Sequence, residues 1–155
     1  MLATLGEQIK RLRLQIDEHI DHHPELKKQR GHLETIPGVG SKLSAEFLAL
    51  FGSQHFRDAK QAAAFLGLVP VEHPSGTRIL KRPRLAKNGD SRWRARLFLP
   101  ALTAARYNPD VCALYQRLIA AGKSKMSATG AAMRKLVQIA FGVFKHQRPY
   151  QPQSV

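Results

Sequence analysis

At 155 residues the chain is long enough for one domain with a real hydrophobic core, and short for a complete polynucleotide-processing enzyme. Its 25 Lys and Arg against 11 Asp and Glu leave a formal charge of +14, a field that favours a polyanionic partner. No apolar stretch approaches a membrane-spanning length and no signal-peptide pattern follows the first residues, so a membrane is set aside and a soluble, intracellular (cytoplasmic) protein is expected.

Leu2, Leu5, Ile9, Leu12 and Ile16 recur at alternating steps of three and four, which predicts an amphipathic helix whose pattern fades at His19, His22, His23 and Pro24. A second helix is expected from Glu25 to about Glu34. The Ile36-Pro37-Gly38-Val39-Gly40 run then breaks the chain, and Ser41 is placed to cap a third helix carrying Leu43, Phe47, Leu50 and Phe51, which Gly52 ends. A further helical stretch covers Asp58 to Leu66. The β-branched content around Val69 and Val71, with the Pro74-Ser75-Gly76 turn, predicts a short irregular β-hairpin whose returning arm is Thr77 to Leu85. From Ser91 the helical pattern resumes through Trp93, Leu97 and Leu102, with a kink expected at Pro100, and continues through Val111, Leu114 and Leu118 to Gly122. Met126, Met133, Leu136, Val137, Ala140, Phe141 and Phe144 mark the last and clearest helix, and residues 147–155 read as a loose tail. The expected fold is mainly α: a helical domain with a helix-hairpin-helix element, a short irregular β-hairpin and an N-terminal amphipathic helix. Residues 1–31 are expected to form amphipathic helices, on their own domain or as a coiled coil, and residues 32–146 the domain proper.

Chemistry is sparse. Cys112 is the single cysteine, which excludes an internal disulfide and a thiolate cluster, and its apolar neighbours Val111, Ala113 and Leu114 predict a buried structural role. The His19, His22 and His23 group contains an i,i+4 pair, yet no acidic or thiol ligand stands at a metal-binding spacing from it, and the carboxylates are scattered. No metal site is expected in the chain.

Phosphate binding has better support. In the turn at Gly38 and Gly40, glycines allow close backbone approach, and the amides leading to Ser41 face an anion at a helix N-terminus with Lys42 just inside it. The competing reading is a plain tight turn between packed helices. Between residues 78 and 96 lie Arg78, Lys81, Arg82, Arg84, Lys87, Arg92, Arg94 and Arg96, opposed within that span only by Asp90. A charge run is commonly just a solvated face, but these cations fall on a hairpin, a loop and a helix start, so several can converge on one groove. Lys123 and Lys125 are expected to extend this surface, with Arg134 and Lys135 either joining it or covering an ordinary solvated face.

Taken in order, Leu33-Glu34-Thr35-Ile36-Pro37-Gly38-Val39-Gly40, Ala63-Ala64-Phe65-Leu66-Gly67-Leu68-Val69-Pro70, Ser75-Gly76, Lys87-Asn88-Gly89 and Met133-Arg134-Lys135-Leu136 resemble the C-terminal transposase domain of Piv-type insertion-sequence recombinases. The resemblance covers nearly the whole chain and treats the first helix as the connector into this domain. It implies a RuvC-like partner domain whose DEDD carboxylates hold Mg2+, with no cofactor in this chain itself. It implies DNA as substrate, a non-coding guide RNA as a second nucleic-acid partner, and contact through the N-terminal helix with a second copy or the RuvC-like domain. It also maps a serine nucleophile onto Ser75, a weak nucleophile that needs a base or metal to activate it, with Arg78, Arg84 and Lys87 beside it to neutralise the phosphate. Two positions depart from the family pattern: Ala86 replaces a serine commonly seen before the lysine, and Pro74 replaces a more polar residue before Ser75. Without the RuvC-like half the chain is expected to be inactive alone. From the residues alone a Ser-Gly turn is ordinary turn chemistry, and two other functions stay open: a free-standing nucleic-acid-binding or dimerising module with Ser75 idle, and a basic ribosome-associated protein.

Overall fold

The computed structural model describes residues 1–71, 84–85 and 89–153, with the backbone alone at Val71 and Arg84. Among these residues it is mainly helical. The elements are α1 (Leu2–His22), α2 (Pro24–Glu34), α3 (Ser41–Ser53), α4 (Ala59–Phe65), the two-residue strands β1 (Pro70–Val71) and β2 (Arg84–Leu85), α5 (Ser91–Tyr107), α6 (Pro109–Ala120) and α7 (Lys125–His146). The strands pair antiparallel, Pro70 with Leu85 and Val71 with Arg84. The expected Pro74-Ser75-Gly76 turn lies outside the described residues.

Local chemistry explains most helix ends. Asp58, Asp90, Asn108 and Ser124 each accept a backbone N–H at the start of α4, α5, α6 and α7, and proline occupies the first turn of α2 and α6, where its missing N–H costs nothing. The N–H of Gln61 holds the Asp58 carboxyl below its ordinary pKa, and the N–H and side chain of Arg92 do the same for Asp90. Helices α4 and α6 stop in the same way. At Gly67 (φ +70°) and Gly122 (φ +78°) the chain turns left-handed, while the next N–H, of Leu68 or Lys123, reaches back to the carbonyl of Ala63 or Leu118 at 3.0 Å.

Several expectations are corrected. Gly40, not Ser41, occupies the N-cap of α3, and no side chain caps that end. The same helix passes Gly52 and ends at Ser53. Pro100 lies inside α5, which continues past it to Tyr107 and packs against α6 and α7. Cys112 is half-buried rather than buried. The segment after α7 is tied down as far as Gln153: the Tyr150 amide donates to Thr35 Oγ1 (2.8 Å), its hydroxyl donates to Asp110 (2.7 Å) and lies 2.9 Å from Asn108 Oδ1, and the Gln153 amide reaches Asp110. Burial and the Asp110 carboxylate push the Tyr150 hydroxyl up to about 12, so it stays a neutral donor. Proline and glutamine composition hides this anchor, since one tyrosine supplies it.

Helix α7 is the axis of the core and packs against α2, α3, α4, α5 and α6. Its small buried residues Ala128, Ala132 and Ala140 let neighbours approach, and Leu136, Val137 and Phe141 fill the space between them. An aromatic cluster closes one side: Phe51 meets Phe47, Phe56, Phe141 and Phe144 at ring-centre distances of 5.3 to 6.3 Å, and Phe47 stacks on Trp93 at 6.1 Å. Leu85 of β2 lies on Gly130 of α7, where a Cβ would stand 3.2 Å from its side chain.

Helix α1 is attached by its second half only. Ile20 is its one buried residue, and Arg30 of α2 joins Asp17 at 2.7 Å, Glu34 at 3.1 Å and the Ser41 carbonyl at 3.2 Å. The stripe Leu2, Leu5, Ile9, Leu12 and Ile16 therefore stands out, each residue at least 50% exposed.

Candidate nucleic-acid interface

The turn between α2 and α3 carries Gly38 and Gly40. Gly38 has φ +103°, and a Cβ there would meet the Pro100 carbonyl at 2.8 Å and the Ala104 Cβ at 2.9 Å. Packing against α5 is thus sufficient reason for glycine at this position, whatever its amide meets. Gly40 is exposed with open space around it, and the first amides of α3 have no side-chain acceptor among the described residues. Such N-terminal amides are satisfied by water or by an anion. Lys42 is exposed on the first turn. One turn further, Glu46 lies 3.8 Å from Arg96 of α5, whose guanidinium sits 5.9 Å from the Trp93 ring centre. Residues far apart in sequence thereby place Lys42, the open α3 amides and Arg96 in one neighbourhood.

The other cations of the basic stretch separate. Arg92 is exposed and pairs with Asp90 at 3.2 Å. Arg94 is half-buried and donates to the Gly89 carbonyl at 3.0 Å, a bond that ties α5 to the loop before it. Arg84 contributes backbone to β2. Ser75, Arg78, Lys81, Arg82 and Lys87 lie outside the described residues, as do Pro74 and Ala86.

The loop holding Gly89 reaches its place through an unusually close backbone contact. A Cβ on Gly89 would stand 2.3 Å from the Gly67 nitrogen and 2.4 Å from its Cα, and a Cβ on Gly67 would meet Gly89 and Arg94 at 2.7 Å. The turn after α4 and the loop before α5 are therefore backbone against backbone, with Arg94 closing the contact.

Lys123 belongs to a second site. It lines a groove of about 1270 Å³ between α6 and α7 with Arg117, Arg134 and Lys135 at its edges and Leu114, Leu118 and Met126 among its apolar residues. Arg117 escaped the sequence reading because it stands alone in α6; only the reversal at Gly122 brings it opposite α7. Lys125 is exposed at the start of α7. Among the described residues no group of three His, Cys, Asp or Glu fits a metal ion. The rings of His22 and His23 instead bond to the carbonyls of Glu18 and His19, one helical turn back. No helix among the described residues is long and apolar enough to cross a membrane.

Residues 30–116 match the sequence model of the transposase IS116/IS110/IS902 family. The chain is 35% identical over 148 residues to the pilin gene-inverting protein of Moraxella lacunata, an alignment covering 94% of this chain and 46% of that protein. The pilin gene-inverting protein of Moraxella bovis aligns with the same identity and coverage. An uncharacterized 42 kDa protein of insertion element IS900 from Mycobacterium paratuberculosis is 31% identical over 160 residues, covering 98% of this chain and 39% of that protein. The chain spans less than half the length of these relatives.

Proposed function

The chain belongs to the IS116/IS110/IS902 transposase family, and from this we propose that it is the DNA-binding, serine-supplying portion of an insertion-element recombinase. The observation that carries the DNA-binding reading is the neighbourhood of α3 amides, Lys42 and Arg96, on a chain with a formal charge of +14. Oriented amides and cations contact phosphates without reading bases, which suits a protein whose sequence choice is delegated to a guide RNA paired with DNA. Ser75 is the proposed nucleophile: its oxygen bonds to phosphorus, the bond from phosphorus to the sugar oxygen breaks, and the hydroxyl proton ends on that sugar oxygen. The basic residues Arg78, Lys81, Arg82, Arg84 and Lys87 flank it in sequence and suit the charge that develops. From the family resemblance, Mg2+ is proposed to be held by a RuvC-like domain, and no step through it is assigned to this chain. The working location is the bacterial nucleoid.

Fluorescence anisotropy with unrelated DNA duplexes across a salt series tests the binding. Affinity should fall steeply with salt, and Lys42→Ser with Arg96→Ser should make the log-log slope shallower by about 1.8, since each lost phosphate contact on a duplex removes roughly 0.9. The loss should be similar for every sequence. Binding independent of salt overturns the reading.

The exposed stripe of α1 is proposed as the face that meets a second copy of the chain or the RuvC-like domain, because a row of large apolar side chains along one helix face is stabilised by being covered. In isolation a second copy covers it. Sedimentation should show an assembly that dissociates when the residues before Pro24 are deleted; unchanged mass and stability after the deletion would show that α1 has no such role.

A further inference from the structure

Four cations converge on the α6–α7 groove: Arg117 from α6, Lys123 from the connecting turn, and Arg134 and Lys135 from α7. Among the described residues none of the four has an ion pair, whereas Arg30, Arg92 and Arg96 each reach a carboxylate. Asp110, the one carboxylate among the described residues of the groove wall, accepts from the Tyr150 hydroxyl and the Gln153 amide. Among the described residues of the lining four cations therefore face one carboxylate, and the field they make is net positive.

The same groove is lined by the apolar side chains of Leu114, Leu118 and Met126, the last 68% exposed. Single exposed apolar side chains are ordinary, but here they share one groove of about 1270 Å³, larger than the roughly 300–1,000 Å³ of a small-molecule pocket. A paired duplex turns its bases inward and offers such side chains nothing to bury. Unpaired nucleotides present phosphates and base faces together, which matches cations and apolar side chains lining one groove.

We propose that the α6–α7 groove binds a stretch of unpaired nucleic acid, with phosphates on Arg117, Lys123, Arg134 and Lys135 and bases against Leu114, Leu118 and Met126. The proposal rests on the reading of the chain as a nucleic-acid-binding protein and adds the form of the polyanion and its place. The paired residues Pro70 and Leu85 both stand on the groove wall. A strand lying here is held beside the ladder that brackets, in sequence, the segment carrying Ser75. Opened DNA at such a position is what a strand-cleaving partner requires.

The test uses the full chain with a short labelled oligothymidylate and a short labelled duplex of the same length. Arg117→Ser with Lys123→Ser should make the salt slope for oligothymidylate shallower by about 1.4, since each contact on a single strand contributes roughly 0.7. Met126→Asp should weaken oligothymidylate binding by about tenfold through lost base contact. That variant should fold normally, because Met126 is exposed and an acidic residue in the first turn of α7 suits the helix dipole; thermal unfolding checks this. Both variants should keep duplex binding, since Lys42 and Arg96 are intact. Unchanged oligothymidylate binding overturns the groove proposal while leaving nucleic-acid binding in place. Equal losses on both probes overturn the assignment to unpaired strands, and a change in sedimenting mass without a change on oligothymidylate makes the groove a protein interface instead. If the unaltered chain binds neither probe, the underlying reading itself fails.

Discussion

Ser75→Ala is expected to leave folding and DNA binding unchanged and to abolish the covalent protein-DNA adduct when the chain is combined with a separately produced RuvC-like domain, cognate RNA and DNA. Two arguments meet at this residue. Removing one hydroxyl from a Ser-Gly pair takes away no apolar contact and little stability. The covalent step, by contrast, needs that oxygen. Ala86 has no hydroxyl to substitute for it, and Ser91 is the first residue of α5, beyond the Gly89 loop that packs on Gly67. Ser91→Ala should therefore still give the adduct. Denaturing electrophoresis with end-labelled DNA reads the outcome directly, and an adduct formed by Ser75→Ala would transfer the nucleophile's role elsewhere.

The largest effect on stability should come from Gly89→Ala. Its new methyl would stand 2.3 to 2.5 Å from three backbone atoms of Leu66 and Gly67, and backbone cannot swing aside as a flexible side chain can. Either the loop before α5 separates from the turn after α4, or both shift and the Arg94 bond to the Gly89 carbonyl is lost. Overpacking of this kind costs typically about 1–3 kcal/mol and sometimes more, which lowers the thermal midpoint by roughly 2–4 °C per kcal/mol in a chain of this size. Gly40→Ala is the matching control, because that glycine has a negative φ and open space around its Cβ position, and it should change the midpoint little. A Gly89→Ala protein as stable as the Gly40→Ala protein would refute the backbone contact.

The helical character of the chain was legible from local signals. Periodic apolar residues marked α1, α3 and α7, and the proline at Pro24 and the carboxylate at Asp58 stand at helix starts as residue chemistry dictates. Caps that depend on one residue were less certain: Ser41 has the right side chain for a cap, yet Gly40 takes the position because the chain leaves the Gly38 turn already extended at that residue. The contacts of the C-terminal segment were hidden for a related reason, since Tyr150 finds its partners in Thr35, Asn108 and Asp110, none of them near it in sequence.

Residue periodicity, a property of near neighbours in the sequence, was enough to determine a helical architecture, and the summed charge gave the expectation of a polyanionic partner. Tertiary structure alone decided what the described cations meet, setting Arg94 on the Gly89 carbonyl and placing Arg117 and Arg134 along one groove. It also decided why three positions are glycine: Gly38 against Pro100 and Ala104, and Gly67 against Gly89, are contacts between segments that share no local pattern. The reason is physical. A helix period or a net charge is written in neighbouring residues, whereas the distance between two backbones, and the neutralisation of one side chain by another, exist only once the chain has packed.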